Sequence, residues 1–108
     1  MQGAALIWSP FPDGETARAI AGQLLEEKLV ACANILGPIE SHFLWQGGQS
    51  SASETGVLFK TTAALLEDAV GRLGKLHPYD TPAIVGWRAD AAFPATIAWL
   101  AAVVQPDG

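Results

Sequence analysis

Hydrophobic and polar positions along this chain alternate between the spacing of strands and that of helices. The apolar run 4–9 predicts a strand, and a loop with two prolines follows it over residues 9–14. The next apolar residues recur three and four positions apart, which predicts one amphipathic helix over 14–30. The mostly apolar stretch 31–45 is interrupted at Gly37-Pro38 and is rich in residues that favour extended backbone, so it predicts a long, bent strand.

A polar stretch after this strand predicts a hairpin. Residues 46–53 are rich in glycine and serine and predict the hairpin tip, and residues 55–61 predict the returning strand. Thr61 or Thr62 is expected to cap a second amphipathic helix. This helix is expected to end near Leu76, because a proline at position 78 disfavours helical backbone at the residue before it.

The last part of the chain predicts a strand near 83–88 and a helix that begins at Pro94. Helical spacing predicts four inner positions of this helix, which are Ile97, Leu100, Ala101 and Val104. The element order β-α-β-β-α-β with a C-terminal helix predicts an α+β fold of the ferredoxin-like, split βαβ type. The length of 108 residues predicts a single domain over 1–108.

Composition narrows the classes of function. Half of the residues are hydrophobic, only 16% are charged and four are tryptophan, which indicates that another subunit covers part of the surface. A net charge of −5 without a basic run argues against nucleic acid as a partner. The one cysteine, Cys32, excludes an internal disulfide and is expected in the core. No leader sequence or membrane-length apolar segment is evident, so we expect a cytoplasmic protein without a membrane partner.

The segment from His77 to Pro82 is the most distinctive local sequence. Its two prolines make it a stiff connector between the second helix and the last strand, and it carries His77 and Tyr79. Connectors of this kind lie at the surface, where binding groups are often found. The segment is equally well explained as a helix stop followed by a strand start, and both interpretations stay open.

Several short motifs, taken in order, resemble the CutA family of divalent-cation tolerance proteins. They cover nearly the whole chain and are Pro12-Asp13, residues 29–34, residues 41–47, Lys60-Thr61, His77-Pro78-Tyr79 with Pro82, and residues 96–100. The resemblance implies a ferredoxin-like subunit in a tight homotrimer in which long hairpins pair across subunits, with an architecture similar to that of PII signalling proteins. A trimer of this kind would also pair the exposed edge strands that the long hairpin predicts.

The resemblance also implies a role in copper and divalent-metal tolerance. The metal ligands that it implies fall on Ser9, His77 and Ala83, of which only the histidine is a metal ligand. We therefore expect no firmly bound cofactor, and only weak binding of copper or another divalent cation through His77. His42 on the long strand is expected to be a strand-face or hairpin residue rather than a second ligand.

The residues that remain suggest a pocket for a small molecule. The resemblance places Trp45, Glu54, Lys60 and Tyr79 near the clefts between subunits, with His77 beside them and Trp99 as a further wall. A lysine beside aromatic rings suits an anionic ligand with an apolar body. The same residues are also explained as an interface, with Lys60 and Glu54 as an ion pair and the tryptophans as anchors, and this alternative carries more weight.

An enzymatic function finds little support in the sequence. No nucleophile stands in a recognisable motif, no histidine spacing suits a catalytic metal, and no glycine-rich phosphate loop follows the first strand. Two hypotheses of function remain. One is a trimeric binding or signalling protein of the CutA type, and the other is a structural assembly module that scaffolds a protein partner.

Overall fold

A four-stranded antiparallel sheet forms the centre of the computed structural model, which describes residues 3–106. The strands are β1 (Ala4–Phe11), β2 (Cys32–Trp45), β3 (Gly48–Thr62) and β4 (Val85–Arg88), and the helices are α1 (Gly14–Glu26), α2 (Leu66–Leu76) and α3 (Pro94–Val103). The spatial order β2-β3-β1-β4 confirms the predicted split βαβ fold with an added C-terminal helix. The two residues at each end of the predicted domain 1–108 lie outside the described residues.

Strand β1 shows how the sheet is divided into two faces. Its residues alternate in burial, and Ala5, Ile7, Ser9 and Phe11 are all buried towards α1 and α2. The intervening residues, among them Trp8, lie on the opposite face. The core between the sheet and the two helices is completed mainly by Ala17, Ile20, Ala21, Leu24, Val57, Phe59, Leu66, Ala69 and Leu73.

The loop predicted over residues 9–14 is wrong in its first part, because β1 continues to Phe11. Pro10 lies opposite Gly56 of β3, beyond Trp8, the last residue of β1 that pairs with β4. At Pro10 the strand therefore has a neighbour on one side only. A proline can be accommodated there because it has fewer ladder hydrogen bonds to disrupt.

Helix α1 begins as predicted but ends earlier, at Glu26 rather than at residue 30. The Asp13 side chain caps its first turn by accepting a 2.7 Å hydrogen bond from the Thr16 amide. Lys28 has a φ of 59°, which reverses the chain, and the Leu29 amide then donates to the Leu24 carbonyl. Leu29 is buried against the core, so its apolar side chain continued the helical pattern after the helix had ended.

The hairpin is much longer than predicted. The residues predicted as its tip, 46–53, mostly belong to β3, and only Gln46 and Gly47 form the turn. Both have positive φ, 49° and 82°, as a tight two-residue hairpin turn requires. Pairing with β2 holds the polar residues extended, for example Ser50 opposite Phe43. The predicted bend of the long strand is confirmed as a bulge between Leu36 and Ile39.

The second half of the chain follows the predicted order with small changes of boundary. The Thr62 hydroxyl accepts from the Leu65 amide at 3.3 Å and caps a 3₁₀ turn that leads into α2, which ends at Leu76 as predicted. Strand β4 begins at Val85, two residues later than predicted. No helix among residues 3–106 is long and apolar enough to cross a membrane.

Two predictions of burial in this part of the molecule need correction. Helix α3 begins at Pro94 as predicted and buries Leu100, but Ala101 is exposed, and the buried Val104 lies directly after the end of the helix at Val103. The Cys32 side chain, predicted in the core, is only partly buried, because β2 lies at the edge of the sheet. Its thiol lies 3.5 Å from Asn34 Oδ1.

Candidate functional site

His77 directly after α2 is the centre of a polar group beneath the end of β1. Its side chain is buried, and its Nε2 lies 2.9 Å from the Pro10 carbonyl oxygen. Its Nδ1 accepts a 3.2 Å hydrogen bond from the Tyr79 amide. This pairing requires the proton on Nε2, so the ring is neutral and both nitrogens are used. Burial lowers the pKa of His77, which favours the same neutral form.

Two aromatic rings enclose His77. The Phe11 ring stacks on the imidazole with centroids 4.6 Å apart and an interplanar angle of 15°. The Tyr79 ring lies on the imidazole at 4.9 Å with a tilt of 46°. Phe11 is fully buried at the end of β1, so the stack fixes the connector against the hydrophobic core.

Tyr79 extends this group to strand β3. Its hydroxyl donates a 2.7 Å hydrogen bond to Glu54 Oε2, and only 9% of Glu54 is exposed. Burial raises the pKa of Tyr79 to about 12, and the hydrogen bond to Glu54 and its negative charge act in the same direction. The carboxylate of Asp13 adds a smaller contribution. The hydroxyl therefore stays protonated and donates over the whole neutral range.

The three positions that the resemblance suggests for a metal do lie near one another, but their chemistry does not fit one. Ser9 is fully buried, and its hydroxyl donates a 2.8 Å hydrogen bond to the carbonyl oxygen of Ala83. His77 supplies the imidazole among these three positions, and both of its nitrogens are engaged. Within residues 3–106 no group of three or more His, Cys, Asp or Glu side chains is placed to hold a metal ion. The site does not fit a bound divalent metal.

One chain does not bring the six predicted cleft residues together. His77, Tyr79 and Glu54 form one group, but Lys60 lies six residues further along β3 than Glu54, about 20 Å away at the usual rise of a strand. Trp45 lies opposite Gly48, six residues from Glu54 in the other direction. Trp99 lies on α3, which packs against β3 and β1, and it is 43% exposed.

The sequence interpretation missed Phe11 and Pro10, which contact His77 directly. The pattern did contain a signal for Phe11. Phe11 continues the alternation of Ala5, Ile7 and Ser9 and therefore faces the core. The connector that begins at His77 packs on the same side of the strand. The two prolines around Phe11 concealed this alternation because they resemble a loop.

The outer part of the hairpin carries a shallow hollow of about 460 Å³. Its lining is a mixture of polar and apolar residues and contains none of the predicted site residues. It consists of Pro38, Ile39, Glu40, Ser51, Ala52 and Ser53. His42 next to it is exposed and contacts Glu40, which agrees with its expected place on the hairpin.

Comparison with known proteins agrees with this fold along almost the whole chain. A family model for "CutA1 divalent ion tolerance protein" matches residues 5–103. The divalent-cation tolerance protein CutA of Pyrococcus horikoshii is 36% identical over 88% of this chain and 92% of its own, and that of Thermotoga maritima is 37% identical over 88% and 93%. The crystal structure of CutA1 from Ehrlichia chaffeensis superposes with a TM-score of 0.90 at 35% identity, covering 95% of this chain and 96% of that one. The protein belongs to the CutA1 family of divalent ion tolerance proteins.

Proposed function

We propose that this chain is the subunit of a homotrimer that acts in divalent-cation tolerance by binding a small molecule in the clefts between subunits, in the manner of PII signalling proteins. The observation that carries the proposal is the separation of Glu54, Lys60 and Trp45 along one strand pair. Residues this far apart can line one pocket only if neighbouring copies contribute them.

The surface of the chain supports assembly. The hairpin beyond the bulge, residues 39–53, exposes Phe43, Leu44 and Trp45 by 41%, 79% and 51%. Large apolar side chains grouped on a surface are typical of protein interfaces. The strand β2 that carries them is an edge strand of 14 residues, and its free backbone groups are available to another chain.

The opposite edge of the sheet is exposed in a similar way. Strand β4 has only four residues, and its Val85 and Trp87 are 59% and 45% exposed. Each copy therefore carries two open edges with apolar side chains. Covering them with the edges of neighbouring copies gives a closed ring, which is the usual outcome for homo-oligomers.

Ligation of copper at His77 is not part of the proposal. Both nitrogens of His77 already have partners, and Ser9 and Ala83 supply no metal ligand. The small molecule would instead meet Tyr79 and Glu54 at the root of the hairpin, with Lys60, Trp45 and Trp99 as further walls. A cytoplasmic location stays a prediction, since one relative from Arabidopsis thaliana is named chloroplastic and one structure from Archaeoglobus fulgidus is described as periplasmic.

Native mass spectrometry of the purified protein tests the proposal, because it reports subunit number and retained ligand together. We expect a trimer with added mass in each cleft, and a monomer would contradict the proposal. Two variants of matched exposure sharpen the test. Phe43→Ser on the hairpin should weaken the trimer, whereas Leu25→Ser on α1, where the leucine is 40% exposed, should leave it intact.

A structural module that scaffolds a protein partner is the second candidate. It is favoured by one observation, which is that His77, Tyr79 and Glu54 already satisfy one another by hydrogen bonds. Among the residues described, no buried side-chain nitrogen or oxygen lacks a partner. A trimer with empty clefts that captures one specific protein from its source cells would support this function instead.

A further inference from the structure

The outer part of the hairpin presents an imidazole and a carboxylate side by side. Glu40 and His42 are two positions apart on β2, so their side chains lie on the same face of the strand. His42 Nε2 lies 2.5 Å from Glu40 Oε2, and the side chains of His42 and Glu40 are 67% and 81% exposed. A nitrogen and an oxygen that can both bind metals therefore meet at one point that is open to solvent.

Two serine hydroxyls complete a polar patch on this face. Ser53 lies opposite Glu40 in the strand register, and Ser51 lies opposite His42. Side chains at such positions have Cβ atoms about 4.5–5.5 Å apart. Glu40, Ser51 and Ser53 also line the hollow of about 460 Å³ on the hairpin, which leaves space beside the carboxylate for an ion and its water molecules.

This patch lies on the side of the sheet that carries α1 and α2. Ser53 is two positions before Thr55, and Thr55 lies opposite the core residue Phe11. The aromatic side chains of Phe43 and Trp45 alternate with the polar pair on β2 and face the other way. The face that presents these aromatic rings for assembly is therefore not the face that carries the patch.

No lysine or arginine competes for the carboxylate of Glu40. The sequence contains neither residue type between Lys28 and Lys60. Among residues 3–106, His42 is the one basic side chain within 4.0 Å of Glu40. A divalent cation that binds both side chains would therefore displace the contact between them and no other ion pair.

We propose that Glu40 and His42 form a surface site for a divalent transition-metal ion of the zinc class, with water as the remaining ligands. Bonds from zinc to histidine nitrogen and carboxylate oxygen are about 2.0–2.2 Å long, so the two ligand atoms would lie roughly 3 Å apart. Exposed side chains make such small movements readily. The hydroxyls of Ser51 and Ser53 can accept hydrogen bonds from the bound water and so support the site from the facing strand. The nitrogen ligand disfavours Mg²⁺ and Ca²⁺, which prefer oxygen.

This site is separate from the positions that the resemblance implies. It contains none of Ser9, His77 and Ala83, and His77 keeps both of its hydrogen bonds. It rests on neither the proposed trimer nor the proposed cleft ligand, because both ligand atoms belong to one chain. Two protein ligands are fewer than the three or four of most zinc sites, so the affinity is modest and agrees with the weak binding expected of the unmodified chain.

Nuclear magnetic resonance of the unmodified protein tests the proposal directly, because the chain has only two histidines. Titration with zinc chloride should shift the imidazole resonances of His42 and leave those of His77 in place. Calorimetry under the same conditions should give one zinc ion per chain. An excess of magnesium chloride should leave zinc binding intact, because Mg²⁺ prefers oxygen ligands.

Four variants sharpen the test. Glu40→Gln and His42→Gln should each weaken zinc binding by about tenfold or more, since each removes one of two ligands, and both positions are exposed, so the variants should fold. Ser51→His places a second imidazole opposite His42 and should strengthen binding by about tenfold or more. Glu26→Gln removes an exposed carboxylate of α1 and should leave the affinity unchanged.

Two results would overturn the inference. One is an absence of change in the His42 resonances with zinc in large excess, which would leave Glu40 and His42 as an ordinary exposed ion pair. The other is a zinc affinity that survives His42→Gln, because the ion would then lie elsewhere. Neither result bears on the number of subunits or on the cleft ligand, whereas a monomer that binds zinc at His42 would contradict the proposed trimer alone.

Discussion

The hydroxyl of Tyr79 donates a 2.7 Å hydrogen bond to Glu54 Oε2 and thereby joins the connector after α2 to the root of the hairpin. The two residues are 25 positions apart, and neither strand pairing nor a shared helix brings them together. Strand β3 runs from the hydrophobic core out to the exposed hairpin, and Glu54 lies where β3 passes the end of β1. This contact therefore connects the root of the protruding hairpin to the part of the subunit that contains the hydrophobic core.

Replacement of Tyr79 by phenylalanine should destabilise the protein by about 1–3 kcal/mol. The variant keeps the ring against His77 but leaves the buried Glu54 carboxylate without its donor. Denaturant unfolding at fixed protein concentration measures the change, because the stability of an oligomer depends on concentration. The double variant Tyr79→Phe with Glu54→Gln should lose less than the sum of the two single losses. An unchanged unfolding midpoint in Tyr79→Phe would show that the contact adds no net stability.

Substitution of Gly56 by alanine should destabilise the protein by about 1–3 kcal/mol or more, because the position has no room for a side chain. A Cβ atom there would lie 2.2 Å from Cη2 of Trp8, because the outer edge of the indole ring packs against the glycine. Replacing the indole of Trp8 by a smaller side chain should relieve the clash. The double variant Gly56→Ala with Trp8→Leu is therefore expected to lose less stability than the two single variants added together. Thermal unfolding measures all three variants.

Gly22→Ala is the matched control for this prediction. Gly22 lies inside α1, is exposed, and a Cβ atom there would meet nothing within 4 Å. Alanine is about 0.5–1 kcal/mol more favourable than glycine in a helix, so this variant should be more stable than the unmodified protein. Similar losses from both substitutions would mean that the contact with Trp8 is not the cause.

The fold could be predicted from the sequence wherever one face of an element is buried. The alternation of β1 and the helical spacing of α1 and α2 both come from contact with the same core. The hairpin could not be predicted to its full length, because residues 48–53 have no core to face. Their extended form is imposed by pairing with β2, a contact between chain segments that local pattern does not encode.

Only the part of the candidate site that depends on local sequence could be predicted. The stiff connector and its two polar side chains, His77 and Tyr79, were evident from the prolines around them. Their partners were not, since Pro10 and Phe11 lie in a part of β1 that resembles a loop. The distance between Glu54 and Lys60 follows from their register on β3, and only the observed strand boundaries establish it.

The ion pair between Glu27 and Arg72 should control stability at acid pH. Arg72 donates to both carboxylate oxygens, with Nε 2.9 Å from Oε1 and Nη2 2.8 Å from Oε2, and this hydrogen bonding lowers the pKa of Glu27 from 4.5 to about 2. A lowered carboxyl pKa contributes stability above the unfolded value, and that contribution is lost as the pH falls from about 4.5 to 2.

Arg72→Met should therefore flatten the dependence of the melting temperature on pH within this window. Glu27→Gln should flatten it in the same way. In each variant unfolding no longer leads to the uptake of a proton by Glu27 in this pH range. Melting curves between pH 2 and pH 6 measure the slopes. Slopes equal to that of the unmodified protein would show that the pair does not couple to folding.

The last prediction concerns metal affinity. The unmodified chain should bind copper and other divalent ions weakly, because binding at His77 requires one ring nitrogen to give up its present partner. Ser9 supplies only a protonated hydroxyl, which is already bonded to the Ala83 carbonyl, and Ala83 supplies no side-chain donor. Ser9→Cys with Ala83→Glu introduces a thiolate and a carboxylate near His77 and should raise the affinity by about tenfold or more.

Calorimetric titration compares the two proteins, with copper under oxygen-free conditions and with zinc, which does not change oxidation state. The gain should disappear when His77→Ala is added, because the new ligands then lack the imidazole that completes the set. Ser9→Ala is the matched control, since it removes the hydroxyl without adding a ligand and should leave the weak affinity unchanged. Tight, stoichiometric copper binding by the unmodified chain that persists in His77→Ala would place the metal elsewhere on the protein.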